Sequence, residues 1–184
     1  MTFQKQTIYL SSPTLKDSFL MKYKTLILVL FLYFLTLFQG SFLSHFDIFG
    51  ASLNLVLIFV CLLSFFEGSY KYSGIVLAFF AGFFVDIFSK SYLGASILLL
   101  IIIYFLIKQA IYILRDVSKK YSIFYFLPIF ICSIVFYDFF IGLVSGQPIL
   151  FLPGIYILSA KIIYNLFFAI IGFYIIKKYP ALVL

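Results

Sequence analysis

Residues 72–94, YSGIVLAFFAGFFVDIFSKSYLG, combine an apolar run with small residues at a regular spacing. The apolar run predicts a helix over Tyr72–Phe88. The regularly spaced residues, four positions apart, are Gly74, Ala78, Gly82 and then Asp86. Small side chains at this spacing let a second helix approach closely in a membrane protein. The stretch therefore predicts a membrane helix that is packed tightly against a neighbour.

Asp86 and the turn after it indicate how the next helix returns. A carboxylate in a bilayer is costly, so Asp86 is expected to point into the protein. It either pairs with a buried donor or contacts a substrate, or it is a structural cap near the helix end. Gly94 ends the short turn and allows a close return of the chain. We therefore expect helices three and four to form an antiparallel hairpin.

The composition places the whole chain in a membrane. Of its 184 residues, 65% are hydrophobic and only 10% are charged. A soluble domain carries about 25% charged residues, so this chain has too few polar side chains to cover a surface facing water. The composition predicts an all-α integral membrane protein with one helical domain.

Six stretches are long and apolar enough, or nearly so, to cross a bilayer as helices. They are Tyr23–Phe42, Ile48–Phe66, Tyr72–Phe88, Tyr92–Leu114, Tyr121–Val144 and Gly154–Ile176. Residues 23–178 are thus expected to form a six-helix transmembrane domain. Residues 1–22 and 179–184 are expected to be cytoplasmic tails.

The orientation follows from the lysine and arginine residues, which concentrate on the cytoplasmic side of membrane proteins. With six crossings, only Lys90 falls on one side. The other side receives Lys5, Lys16, Lys22, Lys24, Lys71, Arg115, Lys119, Lys120, Lys177 and Lys178. This asymmetry predicts that both termini lie in the cytoplasm.

The chain lacks the usual residue sets for metal, cofactor or nucleic-acid binding. His45 is its only histidine, and Cys61 and Cys132 lie apart within apolar runs, so no metal or cofactor is expected. The net charge of +7 comes from short clusters at the ends of apolar runs. That pattern suits lipid headgroups rather than nucleic acid.

Polar residues inside the other predicted helices are candidates for contacts within the bundle. Asp138 and Lys161 fall at about the same depth on consecutive helices, which permits an ion pair. Alternatively, Lys161 extends alone toward the membrane surface. Asn54 and Asn165 are further polar positions, in helices two and six.

Several of these features resemble the MreD family of rod shape-determining proteins, over roughly residues 25–178. The resemblance is carried by Gly82-Phe83-Phe84-Val85-Asp86, by Leu93-Gly94, by Asn54, and by Asn165 with the basic end Lys177-Lys178. The proline that often precedes the polar position of helix two is missing, with Ala51 or Ser52 near its place.

The resemblance implies a non-enzymatic part of the cell-wall elongation machinery in the bacterial cytoplasmic (inner) membrane. The implied partner is an MreC-like single-span coiled-coil protein. A RodA-like glycosyltransferase, a class B penicillin-binding transpeptidase and the MreB filament would be linked directly or indirectly. The implied fold is similar to the substrate-binding component of energy-coupling-factor vitamin transporters.

Two other functions stay open at this point. Such a vitamin carrier would have the same fold, but helix one lacks the alanines, spaced by four, with which carriers dock their coupling subunit. A membrane enzyme acting on lipid could use Asp86 with Ser89, or Asp138 with Lys161. No Ser-His-Asp set, metal cluster or group of phosphate-binding arginines supports that function.

Overall fold

The computed structural model describes residues 15–43, 51–67, 72–89, 92–114, 123–146 and 152–179. These residues form six helices: α1 Leu15–Ser41, α2 Leu55–Phe66, α3 Tyr72–Phe88, α4 Ala95–Ile113, α5 Ile123–Val144 and α6 Leu152–Lys178. Four of them, α1, α4, α5 and α6, contain stretches long and apolar enough to cross a membrane. The chain is therefore a helical, multi-pass membrane protein.

The short helix α2 lies at the centre of the bundle and packs against each of the other five helices. Nine of its twelve residues are buried. At 1.5 Å per residue it is about 18 Å long, which is shorter than a bilayer core. The sequence predicted a helix from Ile48, but residues 51–54 are not helical, and residues 44–50 lie outside the described part. α2 begins late because Asn54 caps it.

The other helix boundaries lie within three residues of the predicted ones, except at the start of α1. α3 has the predicted bounds. α4 starts at Ala95 rather than Tyr92, because Gly94 has a positive φ of 102° and interrupts the helix. α6 is two residues longer than predicted at each end, and α1 begins at Leu15, inside the predicted tail. Residues 1–14 and 180–184 of the predicted tails, and Tyr121, lie outside the described residues.

Consecutive helices alternate in direction, and this gives the bundle two distinct ends. The Asn54 end contains the C-termini of α1, α3 and α5 and the N-termini of the other helices; the Glu67 end is opposite. In the hairpin of α3 and α4, Gly82 lies against Ile97 and Gly74 against Tyr104, which confirms the antiparallel arrangement. Aromatic contacts join α2, α5 and α6, with ring centroids 5.3 Å apart for Phe65 and Phe126 and 5.2 Å for Phe126 and Phe173.

Candidate functional site

The joint between α3 and α4 is built on Gly82, where two helix backbones touch. A Cβ atom at Gly82 would lie 2.5 Å from the backbone nitrogen of Ile97 and 2.8 Å from the carbonyl carbon of Ser96. Ala78, one turn earlier on the same ridge, is fully buried. Because the opposing atoms belong to the backbone, no rotamer change can make room. The small-residue ridge predicted from the sequence is thus the contact surface for α4.

Asp86 caps α4 from one turn beyond Gly82. Its Oδ2 accepts hydrogen bonds from the backbone N–H groups of Gly94 at 2.7 Å and Ile97 at 3.4 Å. Its Oδ1 accepts one from Ser96 at 3.0 Å. The first N–H groups of a helix have no carbonyl acceptor within the helix itself, so they need one from outside. The negative charge of Asp86 also interacts favourably with the positive end of the helix dipole. Asp86 is therefore a structural cap in the structure, which is one of the roles that the sequence left open.

The same joint extends to α5 through a hydroxyl pair. The Ser96 Oγ and the Tyr137 OH are 3.2 Å apart, and both side chains are buried. A hydrogen bond at this place ties the start of α4 to the C-terminal half of α5. The joint formed by α3 and α4 therefore also positions α5.

The structure brings together Asn54 and Asn165, which are 111 residues apart in the chain. The Oδ1 of Asn165 accepts from the backbone N–H of Asn54 at 2.7 Å. Its Nδ2 donates to the carbonyl oxygens of Lys161 and Ser52. The Oδ1 of Asn54 in turn accepts from Leu57 N–H at 3.0 Å. Irregular backbone within a membrane needs such internal partners, so the two asparagines hold residues 52–54 in place.

Gln39 completes the start of α2, and the sequence did not single it out. Its Oε1 accepts a hydrogen bond from the backbone N–H of Val56 at 3.1 Å. This bond joins α1 to the first turn of α2. The available signal was a lone amide near the end of an otherwise apolar run, a position where a membrane helix usually carries a polar side chain for a reason.

Asp138 and Lys161 form the ion pair that the sequence permitted. The Nζ of Lys161 donates to Oδ1 of Asp138 at 2.7 Å, and the two side chains are 21% and 9% exposed. Lys161 therefore does not extend alone to the surface. The Oδ2 of Asp138 is buried and has no hydrogen-bond donor among the described residues. The pair joins α5 to α6 near the asparagines.

A second polar group, at the Glu67 end, was missed by the sequence analysis. We call it the Glu67 cluster: Glu67, Ser73, Tyr104 and Lys108. The Lys108 Nζ lies 3.4 Å from Oε2 of Glu67 and donates to the Glu67 carbonyl oxygen at 2.7 Å. Ser73 and Tyr104 hydroxyls donate to the two carboxylate oxygens at 2.9 and 3.3 Å.

The Glu67 cluster links three helices in a buried place. The Lys108 and Glu67 side chains are only 3% and 9% exposed. Gly74 packs directly over the cluster, since a Cβ there would collide with Glu67 Oε2 and lie 2.5 Å from the Tyr104 ring. Two signals could have revealed the cluster: Glu67 is the only glutamate of the chain, and Lys108 interrupts the apolar run of helix four.

The polar side chains of the bundle thus serve mainly to join its helices. Both oxygens of Asp86 and of Glu67 accept hydrogen bonds from neighbouring helices or turns. Among the described residues, no group of three or more His, Cys, Asp or Glu side chains could hold a metal ion. The geometry defines a helical bundle that exposes many large apolar side chains.

Comparison with known proteins does not assign the chain to a family. No family model matches the chain, and no curated protein or solved structure is significantly similar to it. The fold and the polar joints define a multi-pass helical membrane protein.

Proposed function

We propose that this protein is a non-enzymatic membrane scaffold of the bacterial cell-wall elongation complex, in the manner of the MreD family that it resembles. The observation that carries the proposal is the joint of α3 and α4. In it, Gly82 meets the α4 backbone and Asp86 caps α4 at Gly94. Three of the residues that carry the resemblance, Gly82, Asp86 and Gly94, are thus residues on which this joint depends.

The use of the polar groups favours binding over turnover. Asp86, Glu67 and Asn165 are engaged in contacts between helices, which leaves the lipid-facing surface for partners. In lipid, association of helices depends on shape and close packing. The partner we propose is an MreC-like single-span coiled-coil protein. The protein would also be linked, directly or indirectly, to the RodA-like glycosyltransferase, the class B penicillin-binding transpeptidase and the MreB filament.

We also propose six crossings of the bacterial cytoplasmic membrane, with both termini in the cytoplasm. The ten-to-one distribution of basic residues supports an even number of crossings. α2 can take part despite its length, because residues 51–54 extend it. Within them, Ala51 and Leu53 are buried, and the Asn54 N–H and the Ser52 carbonyl oxygen have a partner in Asn165. A C-terminal alkaline phosphatase fusion should be inactive and a C-terminal green fluorescent protein fusion should fluoresce. The opposite pair of results would refute this orientation.

Depletion of the protein tests the proposed function in cells. In a rod-shaped bacterium that carries it, depletion should give round cells, because the elongation complex loses its scaffold. Re-expression of the wild type or of Gly40→Ala should restore rods, since a Cβ at Gly40 meets nothing within 4 Å. Gly82→Ala should restore them poorly. Rods that persist after depletion, together with a vitamin requirement, would instead favour the carrier.

A further inference from the structure

An apolar groove lies between α4 and α5, on the side of the bundle that faces lipid. Its volume is about 370 Å³. Its walls include Ile103, Leu106 and Ala110 from α4, and Pro128, Cys132 and Phe136 from α5. Leu106 and Ala110 lie in the half of α4 nearer the Glu67 end, and Pro128 lies in the corresponding half of α5. The groove is separate from the polar joints described above.

The sequence explains why the two helices leave a space at this place. Pro128 lies inside α5, and a proline within a helix removes a hydrogen bond and bends the helix. Ala110 contributes only a methyl group on the opposite wall. A proline opposite a small side chain therefore accounts for the space between the two helices at this place.

The groove is short and open along one side. Its α5 wall from Pro128 to Phe136 is about 12 Å long at 1.5 Å per residue. Leu106 on the opposite wall is 52% exposed, so the groove can be entered sideways from the bilayer. A flexible hydrocarbon chain can therefore lie along the two walls.

The apolar lining of the groove excludes a polar occupant. Its one hydroxyl, on Ser133, donates to the carbonyl oxygen of Ile129 at 2.8 Å. The other lining side chains are aliphatic, aromatic or, in Cys132, a thiol. A polar ligand would lose its hydrogen bonds to water here without replacement. An acyl chain entering from the bilayer breaks no hydrogen bonds, and it gains close packing on two sides.

We propose that this groove binds one acyl chain of a membrane phospholipid and retains it more tightly than the surrounding lipid. The chain would enter from the leaflet at the Glu67 end, where the groove opens between α4 and α5. The bound chain would fill the space beside Pro128 and hold the two helices together. This inference does not depend on the proposed cellular function.

The absence of tryptophan from the chain makes a direct test possible. Leu106 and Phe105 are neighbours on α4 and are 52% and 44% exposed, but only Leu106 lines the groove. Leu106→Trp and Phe105→Trp each introduce a single fluorophore at similar depth. Each variant is reconstituted in phosphatidylglycerol vesicles whose acyl chains carry bromine, a contact quencher. It is then transferred into mild detergent without added lipid.

We expect both variants to be quenched in the vesicles. In detergent, Leu106→Trp should keep most of its quenching and Phe105→Trp should lose it. Adding Ala110→Phe, which fills the groove, should abolish the retention in Leu106→Trp. Equal recovery of both variants in detergent would overturn the proposal, as would retention that survives Ala110→Phe. A Leu106→Trp variant that is unquenched even in the vesicles would show that protein covers the groove, and would also overturn it.

Discussion

Replacing Lys108 with methionine will lower the free energy of unfolding by about 3–5 kcal/mol, the usual effect of removing one partner of a buried ion pair. The expected loss is large because Glu67 would lose its cationic partner in a site that is 9% exposed. The backbone carbonyl of Glu67 would also lose its donor, which now lies 2.7 Å away. Unfolding in mild detergent, followed by circular dichroism, measures the change.

Two further variants separate the ion pair from a general effect of losing a lysine. Lys177→Met removes a lysine from the exposed end of α6 and should change stability by less than about 0.5 kcal/mol. Glu67→Gln combined with Lys108→Met should recover most of the loss, because no uncompensated charge remains. The comparison also needs the Glu67→Gln single variant. If the loss in the double variant equals the sum of the losses in Lys108→Met and Glu67→Gln, the two residues are not coupled and the proposed role of the Glu67 cluster is wrong.

Replacing Gly82 with alanine will destabilise the protein by about 3 kcal/mol, at the upper end for an overpacked core. The added Cβ would meet backbone atoms of Ile97 and Ser96, so α3 and α4 must move apart. Their separation would also draw Asp86 away from the N–H groups that it caps. Thermal unfolding in detergent, and resistance to proteolysis in membranes, report the change.

Gly40→Ala is the matched control for this substitution. Both glycines lie in helices, but a Cβ at Gly40 meets nothing within 4 Å. Alanine is the better helix former by about 0.5–1 kcal/mol, so this variant should be as stable as the wild type or slightly more so. Equal stability of the Gly82→Ala variant and the wild type would contradict the close contact of α3 with α4.

Features within one helix, or between helices that follow each other in the chain, were the most predictable. The bounds of α3 follow from its apolar run, and the contact at Gly82 follows from the spacing of small residues. The possible ion pair of Asp138 and Lys161 followed from equal depth on consecutive helices. In each case, helix geometry alone brings the residues into register.

Contacts between distant helices could not be predicted in this way. Asn54 and Asn165 were each recognised as polar positions, but their hydrogen bond depends on the packing of α2 on α6, two helices that are far apart in the chain. Glu67 and Lys108 lie 41 residues apart, and the sequence does not indicate which faces of α2 and α4 meet. The late start of α2 has the same origin, because the N–H groups at this start find acceptors on distant helices: Asn165 for Asn54 and Gln39 for Val56.

Co-purification from native membranes in mild detergent tests the proposed scaffold role most directly. We predict recovery of a single-span coiled-coil protein like MreC together with the wild type, and its loss when α3 is replaced by a generic leucine helix. The Gly40→Ala variant should retain the partner as the wild type does. Recovery of an ATPase and a transmembrane coupling subunit, with no coiled-coil protein, would contradict the scaffold role and identify a transporter component instead.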